Sequence, residues 1–180
     1  LFQVGANAGQ AIAIQKTANA QAASLGGAVF DSESLASAAT GTATAAATIS
    51  GISVTDSLGT VVAIDDVEIA IGDTGAVVTG KIAAAINAKI GETGVLATAD
   101  GTTIEFASVR ESVNSSGAFT GFSIATGTLA SGSGITLASA PAQNTTAPAS
   151  AFLDDLDISS VKGAGQALAI IDKALTTVNG

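Results

Sequence analysis

The side chains of this chain that could do chemistry are carboxylates, and they fall in two groups. Asp65, Asp66 and Glu68, followed by Asp73, supply the oxygen ligands that calcium takes, but the alternating spacing of a calcium-binding loop is missing. A solvated strand edge accounts better for these acids. Asp154, Asp155 and Asp157 have the residue types of an acid/base pair. They also stand just before Ser159-Ser160 and a helical pattern, where negative charge suits the positive end of the helix dipole and a serine can cap free N–H groups. Capping is the expected role. Gly132-Ser133-Gly134 and Gly163-Ala164-Gly165 are too short, and wrongly placed between elements, to cradle a phosphate. Asn114-Ser115-Ser116 and Asn144-Thr145-Thr146 match the N-glycosylation acceptor pattern, which recurs by chance in a Ser/Thr-rich chain.

Composition narrows the field further. The 180 residues include no His and no Cys, which removes Ser-His-Asp and Cys-His catalysis, thiolate and imidazole zinc sites, and disulfides. Without Trp or Tyr, and with only six Phe, platforms for stacking sugars or bases are scarce. Fifteen acidic against six basic residues give a net charge of −9, which repels nucleic acid and anionic membranes. The reading is therefore a non-enzyme with no catalytic, cofactor-binding or metal-ligating residue, no cofactor, and neither a nucleic-acid nor a membrane partner. Thirty-nine of the residues are Ala and 21 are Gly, so Val, Ile, Leu and Phe together number 46. That stock fills one or two small cores. Much of the Ala is expected in connecting stretches and on helix surfaces.

The elements that would position these residues can be read from periodicity. Phe2 and Val4, then Ile12 and Ile14, alternate on either side of Gly5-Ala6-Asn7-Ala8-Gly9, the pattern of a β-hairpin. Residues 18–47 are dominated by Ala, Ser, Thr and Gly and read as a mostly irregular connection. Three short β-branched runs follow, at Ile49, Ile52 and Val54, at Val61, Val62 and Ile64, and at Val67, Ile69 and Ile71. Asp73 or Thr74 can then cap a helix whose stripe of Val78, Ile82, Ile86 and Ile90 stops at Gly91. Residues 95–99 and 102–107 flank Asp100-Gly101 as a hairpin, and weaker strands are expected at 122–125 and 135–138. Both prolines, Pro141 and Pro148, lie in a linker.

The last helix has the sharpest pattern. Val161, Ala164, Leu168, Ile171, Leu175 and Val178 recur at alternating spacings of three and four, the seam of a coiled coil, opposite a polar face of Lys162, Gln166, Asp172, Lys173 and Thr176. Gly165 is out of place there, at a cost of up to ~1 kcal/mol in helix propensity. So narrow a stripe calls for a partner helix. Because the chain starts inside a strand pattern and ends inside a helical one, it reads as a piece of something longer.

The two ends together resemble bacterial flagellins. Leu1-Phe2-Gln3-Val4-Gly5-Ala6-Asn7-Ala8-Gly9-Gln10, with Ile12 and Ile14, is similar to the segment after the N-terminal helices of that family. Leu156-Asp157-Ile158-Ser159-Ser160-Val161-Lys162-Gly163-Ala164, continuing through Gln166 to Leu175, looks like the start of the family's C-terminal helix. A weaker match, around Val67-Glu68-Ile69 and the pair Ile86-Asn87, resembles an insert of flagellins and hook-associated proteins.

The resemblance implies an α+β fold in which a β-rich outer domain with one helix is inserted between a β-hairpin and a coiled-coil-like helix of a helical rod domain. The expected division is residues 1–46 for the core-domain hairpin and connection, 47–140 for the surface-exposed outer domain, 141–150 for a linker, and 151–180 for the start of the C-terminal core helix. It implies a structural subunit of the extracellular flagellar filament, serving motility. Its partners would be other flagellin subunits, an export chaperone, hook-associated proteins and, through the complete core domain, Toll-like receptor 5 of the innate immune system. The chain lacks the family's long N-terminal helices and would not polymerise alone. Packing and assembly would rest on Phe2, Val4, Ile12 and Ile14 in the hairpin and on Val161, Leu168, Ile171, Leu175 and Val178 in the seam. Exposed Ser and Thr of the outer domain become positions for O-glycans. The alternative reading is a flagellin-like or hook-associated surface adhesin for host or polysaccharide ligands.

Overall fold

The computed structural model describes residues 19–179, together with the backbone of two short strands, β1 (Phe2–Gln3) and β2 (Ala11–Ile12). These two pair antiparallel with Phe2 opposite Ile12, as expected for the hairpin, whereas Val4 and Ile14 lie outside the described residues. The chain is mixed α and β, with antiparallel strand pairings throughout the described residues.

Residues 18–47 depart from the expected irregular connection. They carry β3 (Gly26–Ala28), β4 (Ser32–Leu35) and β5 (Ala39–Gly41), preceded by a 3-10 turn at Ala22–Ser24. Ala38, Ala39 and Ala43 are buried in the main core, so part of the Ala stock fills the interior. Propensity underrates these strands because Ala, Gly and Ser are poor strand formers in isolation. Tertiary contact overrides it: Gly75 sits so close to β5 that a Cβ there would lie 2.4 Å from the Ala39 carbonyl oxygen.

The next strands match their apolar runs: β6 (Ala47–Thr55), β7 (Val61–Ala63) and β8 (Val67–Ile69). Thr74, not Asp73, caps α1 (Gly75–Ala88), its hydroxyl accepting from the Val77 N–H at 3.4 Å. Helix α1 ends before the expected stop. Ile90 instead opens a separate turn, α2 (Ile90–Thr93), closed by Gly94 in the left-handed conformation. The hairpin of β9 (Val95–Asp100) and β10 (Thr103–Ser108) turns one residue later than read, with Asp100 opposite Thr103 and Gly101-Thr102 between them. Gly101 takes the positive φ that this tight turn needs. The remaining strands are β11 (Ser123–Leu129), β12 (Ile135–Leu137) and β13 (Ala151–Phe152), ahead of α3 (Val161–Asn179).

Strand β6 is the axis of the larger sheet. It pairs with β11 along one edge and with β7 and β8 along the other. A second sheet has the order β4-β10-β9, and β12 pairs β5 while β13 pairs β3. Residues 26–41 thereby join sheets with partners both in 47–140 and at 151–152. The core lies between α1 and the strands. Val78, Ile82 and Ile86 of α1 meet Ile49, Ile52 and Val54 of β6, Val67 and Ile69 of β8, Ile104 and Phe106 of β10, and Phe122 and Ile124 of β11.

Candidate functional site

Helix α3 docks by a face that flanks the seam, about a quarter turn from it around the helix. Ala167, Ile170 and Ala174 are its buried residues, and they rest chiefly against β3. The approach is close. A Cβ on Gly26 of β3 would lie 2.7 Å from Ile170 Cγ2, and one on Gly165 would lie 2.8 Å from Val109 Cβ. Gly165 is therefore a point of close contact with the body, which accounts for its presence in spite of its poor helix propensity. The face read as polar supplies further attachment: Gln166 Nε2 donates to the Ser108 carbonyl at 2.8 Å and Lys173 pairs with Glu111.

The seam itself faces outward. Val161 and Leu168 are 68% and 67% exposed, Leu175 and Val178 are each 54% exposed, and Ile171 is 39% exposed. Among the described residues Val161, Leu168, Leu175 and Val178 are left mostly uncovered, while Ile171, on the side of the docked face, is the most covered of the five. Periodicity located the apolar stripe but not the side that meets the body, because the docking face is built of alanine and one isoleucine. Beside the seam lies an open groove of about 460 Å³, lined in part by Ile90, Val109, Arg110, Gly165, Leu168 and Asp172. Arg110 is fixed at its rim by donating to the carbonyls of Gly91 and Glu92 at the end of α2. Cationic side chains suit such a helix end.

The carboxylates singled out by sequence stay at the surface, and Asp73, Asp155 and Asp157 accept from nearby backbone N–H groups. Asp73 accepts from the Ala70 N–H at 2.8 Å and from Lys81 Nζ at 2.6 Å. The Lys81 hydrogen bond, aided by that from Ala70, holds its carboxyl below the usual range. Glu68 accepts from the Thr48 hydroxyl across the β6–β8 pair. Asp65 and Asp66 are exposed, and among the described residues no group of three acidic side chains is placed to hold a metal ion. Before α3, Asp155 accepts from the Phe152 N–H and Asp157 from the Ser159 N–H, each at 2.8 Å. The helix cap is Ser160, whose hydroxyl accepts from the Gly163 N–H at 3.0 Å, so the acids order the approach and the serine does the capping. Hydrogen bonding to Ser159 lowers the pKa of Asp157.

The Ile86-Asn87 pair divides its work. Ile86 is fully buried, while the Asn87 amide donates to the Ala97 carbonyl and accepts from the Ala97 N–H, both at 2.7 Å. One side chain thus clamps the end of α1 to strand β9. Of the two glycosylation patterns, Asn114 closes its own loop, accepting from the Ser116 and Ala118 N–H groups at 3.0 Å. Asn144 is engaged through its amide nitrogen, the atom a glycan would need, which donates to Asp31 Oδ1 at 2.8 Å and to the Ser32 carbonyl at 2.9 Å.

That contact exposes a pair of acids that sequence reasoning passed over. Asp31, just before β4, and Glu33 within it are 1% and 7% exposed and alternate with outward-facing Ser32 and Ser34. The signal was present as a period-two run, Asp31-x-Glu33-x-Leu35, but acids occupied positions where a buried strand face carries apolar residues. The sequence matches no protein-family model, and no curated protein matches it.

Proposed function

We propose that the chain is the central part of a flagellin-type filament subunit, whose work is assembly rather than chemistry. The observation that carries this reading is the five-residue apolar seam of α3, exposed along a helix whose adjacent face is already docked. Exposed apolar surface at regular helical spacing is a helix-packing surface without its partner helix. The pairing of Phe2 with Ile12 at the other end of the chain agrees with the hairpin of such a subunit. In this reading other subunits are the principal partners, the filament is extracellular, and an export chaperone and hook-associated proteins meet the same chain before and during assembly.

The test is Leu168→Asp, made both in this chain and in the full-length protein that contains it. At 67% exposure the substitution leaves the isolated chain folded. In the full-length protein it buries a charge in the completed seam and abolishes filaments seen by electron microscopy. Normal filaments from that variant would overturn the proposal.

A further inference from the structure

Residues 141–150 carry no regular secondary structure, yet they are pinned to the body at one place. The Asn144 side chain donates to Asp31 and Ser32, its backbone N–H donates to Glu33 Oε1 at 3.3 Å, and Gln143 donates to the Gly121 carbonyl. The fit is tight enough that a Cβ on Gly121 would lie 2.5 Å from Asp31 Oδ2 and 2.8 Å from the Asn144 carbonyl oxygen. Asp31 Oδ2 also accepts from the Phe122 N–H at 3.0 Å, so both of its oxygens have donors. Glu33 differs. Its Oε2 is buried without a hydrogen-bond partner, and Glu33 takes part in no ion pair among the described residues.

A buried carboxylate oxygen with neither donor nor cation is costly when charged, and much less so when the group carries a proton. We propose that Glu33 is a proton-operated latch on the 141–150 strap: with Glu33 neutral, Asn144 stays bound across Asp31 and Glu33, and ionisation of Glu33 releases it. The surroundings act together on this group. Burial pushes the Glu33 carboxyl up to about 7, the Asn144 N–H opposes the shift, and the neighbouring Asp31 adds to it. On β10, Phe106 stands opposite Glu33, and the adjacent Glu105 turns away to accept from the Ser34 hydroxyl, so that strand brings no compensating cation. With the folded value above the ordinary carboxyl value of 4.5, the latch is fully closed below that value and is lost as pH rises through about 7.

Amide exchange of the full chain, corrected for intrinsic exchange chemistry, tests it. Between about pH 5.5 and pH 8.5 the protection of the Asn144 amide falls about tenfold or more, while that of β6 and α1 holds. Glu33→Gln keeps the strap protected across the whole range. If that variant does not fold, direct titration of the Glu33 carboxyl by carbon NMR in the unaltered chain replaces it, with a midpoint near 7 expected. Protection independent of pH, a carboxyl titrating near 4.5, or restoration of the strap at pH 8.5 by millimolar calcium would each overturn the latch, the last by making the site one for a cation.

Discussion

Helices α1 and α3 use their apolar residues in opposite ways. In α1 the stripe of Val78, Ile82 and Ile86 faces the body and is buried, and Asn87 ties the helix end to β9. In α3, which has the sharper segregation of apolar and polar residues, the stripe faces out, and Ala167, Ile170 and Ala174 face in. Periodicity measures how apolar residues are distributed around a helix. It does not report the depth of the surface that each side meets. Gly26 of β3 admits Ile170 at close range, with Ala167 and Ala174 buried on the same face of α3, so a face of modest hydrophobicity makes the intramolecular contact.

The contrast can be broken by substitution. Ile86→Ala opens a cavity in a fully buried site and is expected to cost about 2–5 kcal/mol in urea unfolding of the isolated chain. Asn87→Ala leaves both Ala97 backbone groups without their partner and costs about 1–3 kcal/mol, with faster amide exchange at Ala97 as its local signature. Gly165→Ala is the sharper case, because propensity alone predicts stabilisation by ~1 kcal/mol. The 2.8 Å approach to Val109 predicts overpacking of about 1–3 kcal/mol, so net destabilisation is expected, and a rise in thermal midpoint would contradict the packing described. Leu168→Ala, by contrast, stays within about 0.5 kcal/mol of the unaltered chain. A loss comparable to that of Ile86→Ala would mean that the seam packs within the chain. The smallest effect is local: Lys81→Ala raises the Asp73 pKa toward its ordinary value of 3.8, read by carbon NMR, since the Lys81 hydrogen bond is the main cause of its depression.

Where large β-branched residues carried the pattern, the fold was legible in the sequence. The strands around Ile49, Val61 and Val67 and the stripe of α1 stand where alternation and helical spacing put them. The hairpin at Gly101 was off by one residue because Asp-Gly and Gly-Thr are both compatible with a tight turn, and register is decided by which side chains of β9 and β10 reach the core. Strands β3, β4 and β5 were missed for the reason that hid Asp31 and Glu33. Apart from Leu35, their buried residues are Ala28, Glu33 and Ala39, too small or too polar to mark a strand by local pattern.

By itself the sequence determined that no His or Cys side chain is at hand, the α+β character and the existence of an unusually regular apolar stripe in the last helix. Those follow from residue types and periods, which are local properties. Only the tertiary structure decided that the stripe points away from the body, that Gly165 is needed for contact, and that two acids 111 to 113 residues from Asn144 share its hydrogen bonds. These depend on which surfaces approach within a few ångströms, and steric fit between distant segments leaves no periodic trace in either one.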